Sequence, residues 1–172
     1  TARAFMAAQG EQNVVSGLGP TSVVISPGGT RHVLVWLADN SSPGSLLNGY
    51  QLILPMAAQP EPGATGTVSY VDNNPGQPGG NSVAIDFARP DWIFAGQPTL
   101  PANFVEASGL NLFGVLYTTI PETGVDPAGL GTRYLAEFTL AASPNASGEF
   151  LLAFNMTGAP PFTTLFTPFG SA

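Results

Sequence analysis

Tyr134-Leu135-Ala136-Glu137-Phe138-Thr139-Leu140 sets Tyr134, Ala136, Phe138 and Leu140 against Glu137 and Thr139. A period of two places alternate side chains on opposite faces, so the stretch reads as a β-strand with one buried face. Phe150, Leu152 and Phe154 repeat the pattern beyond a turn at Ser143-Pro144-Asn145. Ser82–Phe87 alternates Val83, Ile85 and Phe87 against Ser82, Ala84 and Asp86, which predicts another half-buried strand. Working outward, Thr30–Ala38 is rich in β-branched and aromatic residues. Leu47–Leu54 is stopped by Pro55, Thr67–Val71 is short, and Leu110–Ile120 is long and apolar.

Between these runs stand turn clusters: Ser26-Pro27-Gly28-Gly29, residues 39–44, 59–66, 72–80 and 121–131. Turn signals recur about every ten residues, the spacing of a sandwich or barrel. The expectation is an all-β fold: an antiparallel β-sandwich of about nine strands, without an internal repeat. Residues 1–20 are expected as an N-terminal arm, where Ala2, Ala4, Ala7 and Ala8 suit a short helix. Residues 21–156 form the sandwich. Residues 157–172 are an apolar C-terminal arm or last strand. Phe162, Leu165, Phe166 and Phe169 are too apolar to dangle freely, which makes them the candidate assembly contact.

Composition narrows function. Charged residues are 9% of the chain, there is no Lys, and the net charge is -7, with only Arg3, Arg31, Arg89 and Arg133 positive. Such a surface cannot neutralise a phosphate backbone or an anionic bilayer, and no apolar run approaches the roughly 18 residues of a transmembrane helix, so neither nucleic acid nor membrane insertion is expected. An exposed face of Ser, Thr, Asn, Gln and Gly suits glycans or close packing between proteins. The absence of Cys removes disulfides and thiolate metal sites. The chain begins at Thr1, from which a processed polypeptide is expected.

Catalytic chemistry finds little support. His32 is the one histidine, and it lies inside a predicted strand. A zinc site needs three or four suitable ligands, and a serine triad would have to use His32 without a nucleophile elbow in sight. Glycoside hydrolysis needs only two carboxylates, so Asp86 with Asp91 and Glu122 with Asp126 are the pairs to weigh. Both fall at strand ends or loops, where solvated acids are ordinary, and no enzyme is expected. Structural calcium has weak candidates in Asp39, Asp72 and Asn74, oxygen donors in turns that Asx-turn chemistry equally explains. Trp36 reads as core. Trp92, nearer a strand end, is the candidate glycan contact. Asn40, Asn145 and Asn155 each open an Asn-x-Ser/Thr acceptor sequence.

One resemblance emerges from these segments. Ser26-Pro27-Gly28-Gly29-Thr30 precedes a hydrophobic strand, a loop, and Leu47-Asn48-Gly49-Tyr50-Gln51-Leu52-Ile53-Leu54. Tyr134–Leu140 and Ser147-Gly148-Glu149-Phe150-Leu151-Leu152 then follow in order. Together they resemble a cohesin domain of bacterial extracellular proteins over about residues 22–155. The resemblance implies jelly-roll topology, similar to one class of carbohydrate-binding modules, and a secreted or cell-surface location. It also implies a protein-association role, with a dockerin-type partner or with copies of itself. It departs from the cellulosomal pattern in lacking Lys and in its Gly/Pro-rich loops. The expectation is a non-catalytic, self-assembling surface subunit, with a carbohydrate-binding module or a dockerin-binding scaffold as the alternative.

Overall fold

A computed structural model describes residues 2–8, 22–39, 46–47, 49–55, 57–71, 83–97, 103–106, 111–118, 125–126, 131–154 and 164–166. These hold strands and turns and no helix. In chain order the strands are β1 (Ala2–Ala8), β2 (Thr30–Asp39), β3 (Gly49–Pro55), β4 (Gln59–Pro60), β5 (Val68–Tyr70) and β6 (Val83–Ala84). There follow β7 (Asn103–Glu106), β8 (Asn111–Thr118), β9 (Arg133–Ala142), β10 (Phe150–Leu151) and β11 (Thr164–Phe166). One sheet runs β1-β2-β9-β5, with β6 also on β9. The second runs β11-β3-β8-β7, and β10-β4 is a separate ribbon. Every strand pair is antiparallel.

The central strands carry the most apolar sequence. Val33 to Leu37 of β2 and Leu52 to Leu54 of β3 are buried without alternation, as strands covered on both faces must be. One buried cluster takes Val33, Val35 and Phe138 from the first sheet and Tyr50, Leu52 and Leu54 from the second. The two sheets therefore share a core. Pro55 ends β3 as its missing N–H requires, and the ladder to β8 shifts register between Leu54 and Pro55.

Three expectations change. Residues 2–8 form not a helix but β1, paired with β2 from Ala2↔Asp39 to Ala8↔Val33. Alanine's helix propensity is a weak prior, and so short a helix is marginal alone, whereas a sheet edge satisfies the whole segment's backbone. The strands number eleven among the described residues, because two-residue pieces such as β4, β6 and β10 are added. The strand expected over Ser82–Phe87 ends at Ala84. The Asp86 carboxylate accepts the Ala88 N–H at 3.0 Å and the Asp86 carbonyl accepts the Arg89 N–H at 3.3 Å, turning the chain. Ile85 is still buried, but Phe87 is left 47% exposed.

An internal likeness also appears that the sequence reading did not find. Pro62-Gly63-Ala64-Thr65-Gly66 and Pro144-Asn145-Ala146-Ser147-Gly148 are matching turns that face each other. Each closes with an N–H to carbonyl bond of 2.9 Å, from Ala64 to Glu61 and from Ala146 to Ser143. Thr65 and Ser147 then exchange both backbone bonds, at 2.9 and 3.0 Å. A third turn joins them, since the Gly28 N–H donates to the Ser143 carbonyl at 3.1 Å.

Candidate functional site

The most chemically varied cluster lies where β9 begins. In the β2–β9 ladder Val35 pairs with Ala136 but Trp36 pairs with Tyr134, so Leu135 is an extra residue in a β-bulge. The bulge moves Tyr134 out of the alternation that Ala136, Phe138 and Leu140 keep. It also changes how the Leu135 carbonyl is satisfied: the Tyr50 hydroxyl of β3 donates to it at 2.7 Å, tying one sheet to the other. The Trp92 Nε1–H donates in turn to the Tyr50 oxygen at 3.3 Å.

The turn segment 85–97 closes over this bulge. Ile93 N–H donates to the Tyr134 carbonyl at 3.1 Å and Tyr134 N–H to the Asp91 carbonyl at 2.9 Å. The Tyr134 hydroxyl accepts the Asp86 N–H at 3.0 Å. The Arg89 guanidinium lies 4.4 Å from the Tyr134 ring centroid and 5.4 Å from that of Trp36, within cation–π range. Its fork is filled by Asp91, with Nε donating to Oδ1 and Nη2 to Oδ2, both at 2.8 Å. Those hydrogen bonds hold the Asp91 carboxyl below the usual aspartate range and push Arg89 above its own. Burial pushes the Tyr134 hydroxyl well up.

A general acid needs a carboxyl pushed up toward neutrality, and Asp91 is pushed the other way. Its sequence partner Asp86 caps a turn. Glu122 lies outside the described residues, and Asp126 is half-buried beside the Leu47↔Val125 bridge. His32 brings a hydroxyl and a carboxylate together, with Nδ1 3.2 Å from Thr139 Oγ1 and Nε2 3.6 Å from Glu137 Oε2. The second distance is too long for a hydrogen bond. The Glu137 carboxylate also acts on Tyr134 and Arg89. The group reads as cross-strand polar pairing on a sheet face.

Trp92, the candidate glycan contact, is 5% exposed. Phe87 and Phe94 stand edge-on to it at 5.1 and 5.7 Å, so a sugar would have to displace neighbouring rings to reach it. Trp36 is buried as expected. Of the weak calcium candidates, Asp39 ends β2 opposite Ala2, and Asp72 and Asn74 lie outside the described residues. No three His, Cys, Asp or Glu side chains gather into a metal-binding group among the described residues. Leu165 and Phe166 lie in β11, opposite Tyr50 and Gly49, while Phe162 and Phe169 are outside the described residues, as are Asn40 and Asn155. Asn145 is exposed at the tip of its turn, where its Oδ1 accepts the Ser143 hydroxyl at 2.8 Å.

Among the described residues no helix is long and apolar enough to cross a membrane. Arg89 was the residue that sequence reasoning passed over. Its one signal was a lone cation two positions from an acid, across Pro90, in the aromatic run Phe87–Phe94. No protein-family model, curated protein or solved structure matches the chain.

Proposed function

We propose that the chain is a non-catalytic, secreted or cell-surface association module with a cohesin-like jelly-roll sandwich, and that it assembles with copies of itself into a layer or filament. The observation that carries this reading is where the outermost strands sit. Among the described strands β1 is an edge of one sheet and β11 an edge of the other, and sheet edges are the places where backbone pairing recruits another chain. The surface supports it too: with only 9% of residues charged, a contact between copies takes few ionised side chains out of water. The test is light scattering with electron microscopy on the full chain over a range of concentrations. The full chain is expected to form multimers that grow as concentration rises. A full chain that stays monomeric at every concentration sinks the reading.

A carbohydrate-binding module is the second reading, and one place favours it. Phe87 is a 47% exposed ring two residues before Arg89, whose ion pair with Asp91 is partly exposed, the combination of apolar ring and polar groups that sugars use. Calorimetric titration with β-linked glucan and xylan oligosaccharides tests it. Heat lost in Phe87→Ala supports it, and no heat with the native chain removes it.

A further inference from the structure

We infer that the element exchanged between copies is β1, which leaves its own β2 and pairs with the β2 of a second copy. This rests on the self-assembly proposed above and names its contact. The β1–β2 ladder has seven residue pairs, from Ala2↔Asp39 to Ala8↔Val33. β11 makes three with β3. A seven-pair ladder carries enough register to be rebuilt unchanged between chains, since β2 presents the same edge in every copy.

The connection favours the exchange. Adjacent antiparallel strands need a loop of only about two to five residues, yet residues 9–29 separate β1 from β2. The more residues separate two strands, the lower the effective concentration of one at the other, and a neighbour's strand then competes with it. The far end of that connection is anchored. Gly28 N–H donates to the Ser143 carbonyl at 3.1 Å, and Ala142 N–H to the Gly29 carbonyl at 3.0 Å. Departure of β1 therefore leaves β2 seated against β9, with which it stays paired from Thr30 to Leu37. The vacated edge carries unpaired backbone groups beside the buried residues Val33 to Leu37, a template that a β1 of identical sequence fills. Because β1 is given by one copy and received by the next, the contact is head-to-tail, and it builds a filament unless the rotation closes a ring.

The chain has no Cys, so an engineered pair reports without ambiguity. Arg3→Cys with Ala38→Cys joins one pair of the ladder, and Ala4→Cys with Leu37→Cys joins the next. Hydrogen-bonded and non-hydrogen-bonded pairs alternate along an antiparallel ladder, so one of the two variants meets the geometry a disulfide prefers. Each full-length variant is oxidised while dilute, which locks β1 onto its own β2, then concentrated and measured by light scattering with and without reductant. The expected result is a monomer that stays monomeric when locked and assembles once reduced. As a second readout, chains carrying only Arg3→Cys are refolded with chains carrying only Ala38→Cys, and a disulfide between the two is expected to accumulate as concentration rises. Locked monomers that assemble as well as reduced ones overturn the role of β1 while leaving self-assembly standing. A reduced chain that never assembles overturns self-assembly as well.

Discussion

The two ends of β9 are closed by opposite chemistries. At Tyr134 the strand carries a bulge covered by rings and one guanidinium: Trp36, Tyr50, Trp92 and Phe94 are all buried there, and Arg89 lies over Trp36 and Tyr134. At Ala142 the strand runs into the matched turns, where hardly a large side chain takes part. There the work is done by backbone bonds of 2.9 to 3.0 Å between Thr65 and Ser147 and by Gly66 and Gly148 at φ 75° and 93°. The first end is specified by volume and polar satisfaction, the second by which residues can adopt a left-handed backbone. They should fail differently.

The largest effect is expected at the aromatic end. Trp92→Ala removes a ring packed by Phe87 and Phe94 and takes away the donor to Tyr50. Loss of a buried aromatic costs about 3–5 kcal/mol. Urea unfolding should show a large drop in midpoint. A shift within about 0.5 kcal/mol, the size of a typical surface change, would mean that the 85–97 segment does not close the core.

At the turn end the corresponding break is Gly66→Ala. An added Cβ would meet the Ser143 Oγ at 2.6 Å and the Ala146 backbone at 2.7 Å, and φ is unfavourable for any side chain. Strain of this kind costs about 1–3 kcal/mol, and the backbone contact adds to it. Gly63→Ala is the control, since it shares a positive φ but its Cβ would meet nothing within 4 Å. The difference in unfolding free energy between the two variants isolates the contact from the conformational strain. Equal losses would show that the turns are not interlocked.

The same contrast explains what was legible in the sequence. The turn end was written in local signals: Ser26-Pro27-Gly28-Gly29 and Ser143-Pro144-Asn145 announce turns by residue type alone, because proline and glycine restrict the backbone wherever they stand. The long strands β2, β3, β8 and β9 were read from period and β-branching to within a few residues. That two such turns would dock on one another was not legible, because pairing of residues 62–66 with 144–148 is a tertiary fact. Nor was the bulge at Leu135, since an inserted residue leaves the hydrophobic alternation of Tyr134–Leu140 looking intact. Trp92 was ambiguous for the same reason: its burial depends on Tyr50 and Tyr134 arriving from distant positions.

The smallest effect sharpens the comparison most, because it separates charge from packing at the aromatic end. Asp91 is held below the usual aspartate range by Arg89. A carboxyl depressed by folding stabilises the native state above its unfolded pKa of about 4, and that contribution is lost as pH falls through the lower folded value. The pair is 25% and 35% exposed, so solvent screening keeps its worth to about 1 kcal/mol or less. Asp91→Asn should therefore lower unfolding free energy slightly at pH 7, and the gap to the native chain should shrink toward zero under strongly acid conditions, where the native Asp91 is also neutral. Raising the salt concentration at pH 7 should narrow the gap in the same direction. Asparagine keeps one acceptor for Arg89, and the pH dependence separates the charge of Asp91 from any shift of the guanidinium, which an asparagine brings at every pH. A gap that persists unchanged from pH 7 into acid would assign the contribution of Asp91 to hydrogen-bond geometry, leaving its charge without a role at this end of β9.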